Sequence, residues 1–156
     1  MEDKLGLIVE ALKDKACLKQ KIYRNTLEVF RHMKEIGKAL SNVLDEQMKG
    51  VDKSVVVEFI DKGEFEFHIK FSGDLLMFTM HSNVQTFGAE HLISKSPYVI
   101  EDTNRGYFGS IMVYNFMSDS LKYNRLNDPG YLLARMLLNV DGHFYIEGVR
   151  QRKFLC

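Results

Sequence analysis

Glu64-Phe65-Glu66-Phe67-His68-Ile69-Lys70-Phe71 alternates without a break, with Phe65, Phe67, Ile69 and Phe71 on one side and the polar residues on the other. Successive side chains of an extended chain point to opposite faces, so this period of two predicts a β-strand with one apolar face. The polar members, His68 among them, are expected in solvent. Asp61-Lys62-Gly63 joins the strand to Val55–Ile60, and Ser72-Gly73-Asp74 joins it to Leu75–Met80. Both connectors carry the residues that tight hairpins need, which predicts a three-stranded meander over 54–81.

Upstream, the period changes. Ile22, Val29, Met33, Ile36, Leu40 and Val43 recur in steps of seven, four, three, four and three, and Leu27, Phe30, Leu44 and Met48 widen the stripe. This is the helical period. It predicts a long amphipathic helix from about Ala16 to Lys49, stopped by Gly50, with a short helix near Asp3–Lys13 before it. Asp14-Lys15 is a weak break, and the sequence leaves open whether the two helices are continuous. The long helix would span about 50 Å, beyond the ~30 Å of a small domain, so it must overhang or lie against something else. Cys17 falls on it, on a surface expected to be packed.

Downstream of the meander, Ser82-Asn83, Ser94-Lys95-Ser96-Pro97 and Glu101-Asp102-Thr103-Asn104-Arg105-Gly106 break up short apolar pieces. An irregular excursion over about 82–106 is expected, with one short strand near Tyr98–Ile100. Long connections of this kind inside compact domains are often functional. Tyr107–Met117 reads as a strand and Asn127-Asp128-Pro129-Gly130 as a turn. Tyr131–Leu138 has helix-forming residues, but Asn139-Val140-Asp141-Gly142 turns it into His143–Val149, which favours a hairpin. Helices followed by two hairpin-linked meanders make an α+β fold, a single domain over 1–156. The helical segment takes 1–50 and packs on an antiparallel sheet of about six strands within 51–156.

Composition bounds the function. Hydrophobic residues make up 46% and charged residues 27%, and 21 Lys+Arg balance 21 Asp+Glu, which argues against a wholesale nucleic-acid binder. No apolar run approaches the ~20 residues of a membrane-spanning helix. Met1-Glu2-Asp3-Lys4-Leu5 places acids where a secretory signal has bases, so a cytoplasmic protein is expected. Cys17 and Cys156 form no metal or redox motif; free thiols are expected, with a disulfide between them the alternative.

No motif names an activity. His32, His68, His81, His91 and His143 show no helical ligand spacing, Gly-x-Ser-x-Gly is absent, and there is no Gly-rich phosphate loop. Neither a metal site nor a cofactor is expected. Several strands are apolar on both sides, as in Val55-Val56-Val57 and Leu132–Leu138. One helix covers one face of such a sheet, so a second copy of the chain is expected to cover the other, and a homodimer is preferred over a curled monomer.

The leading expectation is a non-enzymatic interaction or small-ligand-binding module, with a small molecule or a protein as partner. Its site would lie where the 82–106 excursion meets the polar stretch Tyr114–Asp128. The residues chosen for ligand binding are His81, Asn83, Asp102, Asn104, Arg105, Tyr114, Asn124 and Arg125, which supply oriented hydrogen bonds and charge. One alternative is a nucleic-acid-associated protein using the basic helix over 13–38, helped by Arg150-Gln151-Arg152-Lys153. The other is a small enzyme with His81 or His91 as acid/base.

Overall fold

The alternating stretch sits in the middle of the architecture. A computed structural model describes residues 2–125, 127–128 and 130–148. Six strands, β1 (Val57–Asp61), β2 (Glu66–Phe71), β3 (Asp74–Thr86), β4 (Tyr107–Met117), β5 (Tyr131–Leu138) and β6 (Phe144–Gly148), form one antiparallel sheet in sequence order. The helices α1 (Glu2–Ala11) and α2 (Cys17–Lys49) precede it. The fold is α+β, as the sequence predicts. Val149–Cys156, with the basic tail and Cys156, lies outside the described residues, as do Leu126 and Pro129 of the connection before β5.

Asp14-Lys15 proves to be a distortion rather than a break. Leu12–Ala16 forms a wide π turn in which the Cys17 N–H bonds the Leu12 carbonyl, so α1 and α2 form one helical rod about 70 Å long. Its C-terminal part crosses the sheet diagonally. Thr26 meets Gly109 of β4, where an added Cβ would stand 2.0 Å from the Thr26 hydroxyl, and the Asp45 carboxylate accepts from the Val57 N–H of β1 at 3.1 Å. The helix buries Ile22, Thr26, Leu27, Phe30, Gly37 and Ser41. Gly37 suits its place because an added Cβ would stand 3.2 Å from Phe67 and 3.3 Å from Ile69, over a floor in which Phe67 and Phe78 stack at 4.5 Å.

Ile36, Leu40 and Val43 correct the expected stripe. They are 50–55% exposed, on the flank of the helix beside its buried face. The wide apolar arc of α2 has only part of its width covered by the sheet. Cys17 is likewise exposed rather than packed.

The excursion differs from the sequence expectation in its bounds and in its short helix. β3 runs on to Thr86 across a bulge between His81 and Gln85, so the excursion starts at Phe87 and not Ser82. Tyr98–Ile100 is helical, within α3 (Pro97–Glu101), because Ser96 caps it by accepting from the Val99 N–H at 3.4 Å and Pro97 fits the first turn. Arg135 and Glu147 pair across β5 and β6 and alternate with the core residue Met136 and its partner Ile146, so they point away from α2. Phe87 lies under Arg135 and against Phe108, which places the excursion on the face opposite α2. His68, expected in solvent, is buried on that second face between Ile60 and Met77 of the neighbouring strands and is hydrogen-bonded to Glu66 at 2.6 Å. Near the other end of β4, α4 (Ser118–Lys122) follows, and its buried Ser120 donates to Asp128 at 2.7 Å.

Candidate functional site

A mostly apolar cavity of about 420 Å³ lies where the excursion meets the β5–β6 hairpin. Leu92, Ile93, Val99, Phe108, Phe144 and Tyr145 give its apolar lining, and Tyr98, Asn139 and His143 its polar wall. Its size and character are those of small-molecule pockets, which run to about 300–1,000 Å³.

The polar wall is built around Asn139, which is 1% exposed. Its side-chain oxygen accepts from the backbone N–H groups of Asp141 (3.1 Å) and His143 (3.0 Å), and its amide donates to the Tyr98 hydroxyl at 3.0 Å. Gly142, at φ +80°, provides the left-handed step that closes this hairpin. The Tyr98 hydroxyl donates to Asp141 at 2.6 Å. Arg105 then clamps the group from outside: its Nε donates to Asp141 at 3.1 Å, and its Nη1 donates to the Tyr98 carbonyl at 3.1 Å and to Glu101 at 2.6 Å. The Tyr98 ring stands between the Arg105 guanidinium, 4.4 Å away, and the His143 imidazole, stacked at 5.0 Å.

These contacts shift the titrating groups in consistent directions. Burial, and next the hydrogen bond to Asp141, push the Tyr98 hydroxyl up. The Tyr98 hydrogen bond, followed by the Arg105 charge, holds Asp141 below the usual carboxylate range. Glu101 raises Arg105. Asn139 and Tyr98 are thereby tied to one another and to the Asp141–His143 turn, beside a mostly apolar space.

A second cluster anchors the excursion. His91 stacks on Phe87 at 4.3 Å, its Nδ1 accepts from the Ile93 N–H at 3.3 Å, and its Nε2 lies 3.5 Å from Glu147. Arg135 donates to the same Glu147 from both Nε and Nη2.

The residues chosen from the sequence are dispersed. Arg105 belongs to the wall just described, and Asp102 stands nearby, accepting from the Asn104 N–H at 3.0 Å to cap the 3-10 turn Thr103–Gly106. Asn104 faces a groove of about 600 Å³ with Lys13, Lys15, Cys17 and Lys21. Asn83 lines a shallow groove with Lys19, Gln20 and Tyr23, and His81 is exposed opposite Ser110. Tyr114, Asn124 and Arg125 belong to the far end. Tyr114 donates to the Met112 sulfur at 3.1 Å, Asn124 makes a left-handed turn at φ +49°, and Arg125 lies 3.9 Å from Asp128. The excursion and the Tyr114–Asp128 stretch therefore flank opposite ends of the eleven-residue β4, roughly 30 Å apart, and do not meet. What meets the excursion is the Asn139–His143 turn. Tyr98, Asn139, Asp141 and His143 are not among the residues chosen from the sequence, where Asn139 and Asp141 read as ordinary turn residues; no local signal marks the turn's contact with Tyr98.

Among the described residues no cluster of His, Cys, Asp and Glu could hold a metal, and no helix is long and apolar enough to cross a membrane. Comparison of the chain with protein-family models, curated proteins and solved structures finds no match.

Proposed function

We propose that this protein is a non-enzymatic binding module for a small, largely apolar ligand, held between the excursion and the β5–β6 hairpin. The observation that carries this reading is the apolar cavity with a self-satisfied polar wall. Tyr98 and Asn139, already bonded to one another and to the turn, do not have to reorganise when an apolar guest displaces water. The acid/base alternative has weaker support, because His91 is engaged with the Ile93 N–H and lies beside a Glu147 already held by Arg135. The test is amide-shift NMR with indole as an uncharged apolar probe. Saturable shifts centred on Leu92, Val99, Asn139 and His143, weakened severalfold by Phe144→Ala, are expected. Shifts spread over the surface, or identical binding in Phe144→Ala, would reject this cavity as the site.

The homodimer belongs to the same reading, through a different surface from the one the sequence suggested. Leu5 and Ile8 on α1, Leu12 in the π turn, and Ile36, Leu40 and Val43 along one ridge of α2 are all at least half exposed. A second copy is the occupant that a ridge repeated on every chain can always find. Native mass spectrometry reads the result directly: a dimer mass that Leu40→Ser converts to monomer supports this ridge, and a monomer at all concentrations excludes it.

A further inference from the structure

We infer that the stretch of the helical rod around residues 13–24 is a second binding surface, one that takes the backbone of a single-stranded nucleic acid. Three depressions meet there. One, of about 700 Å³, is lined by Lys19, Gln20 and Tyr23 of α2 and by Ser82–Val84 at the bulge of β3. A second, of about 390 Å³, is bounded by Leu12, Ala16, Cys17, Gln20 and Arg24. The third is the groove of Lys13, Lys15, Cys17, Lys21 and Asn104. Gln20 borders the first two and Cys17 the last two, so the three join into one belt that curves round the rod. Five bases line this belt, Lys13, Lys15, Lys19, Lys21 and Arg24, all of them exposed, against one acid, Asp14.

Among the described residues none of the five is ion-paired, and Lys15 rests over the Tyr107 ring at 5.1 Å. Farther along α2, Arg31 and Lys34 are already bonded to Glu64 and Asp61, at 2.8 and 2.7 Å. The unmatched positive charge of the helix is thus concentrated on the belt, where it is available to an external anion. Shape and the uncharged lining select which anion. With its side chains the rod is about 10–12 Å across. Duplex DNA is stiff over about 150 bp and cannot follow so tight a curve, whereas a single strand can. Gln20, Asn83 and Asn104 supply amides that pair with base edges, and Tyr23 a half-buried ring for stacking. An acidic peptide would use the charge and leave these groups idle.

The test is fluorescence anisotropy of the full chain with labelled oligo(dT) and oligo(rU), each of twelve nucleotides. Saturable binding is expected, and contact with about three phosphates should weaken it about twentyfold between about 50 and 200 mM salt. The double variant Lys19→Glu/Lys21→Glu, at exposed positions with no ion pair to lose, should weaken binding at least tenfold with an unchanged circular dichroism spectrum. Lys53→Glu/Lys62→Glu makes the same change of net charge at exposed positions on either side of β1 and should leave binding within twofold. Equal loss in the two variants overturns the belt as the site, as does binding that ignores salt or the failure of both oligonucleotides to bind. Equal affinity for a duplex of the same length overturns the selection of single strands. Displacement by poly-glutamate as readily as by unlabelled oligo(dT) overturns the nucleic-acid reading in favour of an acidic protein partner.

Discussion

The two faces of the sheet are covered by opposite means. On one, a single regular helix lies over a floor of Phe59, Phe67 and Phe78, and the contact is mainly apolar area, with polar bonds such as Asp45 to the Val57 N–H and Lys34 to Asp61 at its margin. On the other, short pieces of chain between Phe87 and Gly106 are held by hydrogen bonds, ion pairs and ring stacks: Tyr98 with Asn139 and Asp141, His91 with Phe87, Arg135 with Glu147. Area is non-directional and fills whatever space is present. Directional contacts fix a few atoms and leave gaps between them, and the cavity lies in such a gap. The face with the less complete packing is therefore the one that carries the proposed binding cavity.

This contrast is broken most severely by emptying the regular face. Phe30 is fully buried at the centre of the helix contact, and Phe30→Ala is expected to cost about 3–5 kcal/mol in denaturant unfolding. Gly109→Ala comes next, because its Cβ would collide with Thr26 and force helix and sheet apart, at a cost of about 1–3 kcal/mol. Removing the obstacle with Thr26→Ala in the same chain should recover much of that loss. A strictly additive pair would mean that the two residues do not meet as described.

The directional face should respond in another way. Asn139→Ala leaves the Asp141 and His143 N–H groups without their acceptor, a loss of about 1–3 kcal/mol. Because that loss is local, hydrogen exchange should quicken in the hairpin and excursion before it does in β2 or α2. Uniform quickening would merge the two faces into one cooperative unit. Acid should act on both faces. Asp141, Asp45 and Asp61 all have depressed carboxyl pKa values, owing first to the hydrogen bonds from Tyr98, Lys49 and Lys34 respectively. A depressed carboxylate contributes stability that is complete above its unfolded value near 3.9 and is lost as pH falls through the folded value. Stability should thus be flat from neutrality to about pH 5 and fall below pH 4. Asp141→Asn should flatten part of that fall, and an unchanged acid profile would count against the Tyr98–Asp141 bond.

The regular face was largely legible in the sequence because its signals are periodic and local. Alternation in 66–71 and the helical step in 22–48 each repeat often enough to specify an element and its apolar side. Period alone cannot say how wide a helix face the sheet will cover, which is why Ile36, Leu40 and Val43 read as core and are exposed. The directional face was not legible for a different reason. Tyr98, Asn139 and Asp141 are brought together across more than forty residues by the ordering of β4, β5 and β6, and no local pattern encodes that meeting. Ser96-Pro97 did carry a local helix signal, and three apolar or β-branched residues after it disguised the first turn as a strand. Arg105 was found because it is charged and lies in a polar loop. Its partners in the turn were read correctly as turn residues, but the turn's role as the wall of a cavity depends on what packs against it.

The smallest effect on folding comes from the exposed ridge, and it separates burial within one chain from burial between two. Leu40 has half its surface in solvent, so Leu40→Ser should change the unfolding of a monomer by only about 1 kcal/mol. A dimer joined through the ridge would lose far more, because that same side chain would then be buried, and its unfolding midpoint would rise with protein concentration. The measurement is therefore the unfolding midpoint of the wild-type chain and of Leu40→Ser across a hundredfold range of concentration. A wild-type midpoint that climbs with concentration, beside a flat one for Leu40→Ser, assigns the ridge to the interface. Flat midpoints for both make α2 a helix whose outer apolar flank remains in water, with its whole contribution to stability on the sheet side.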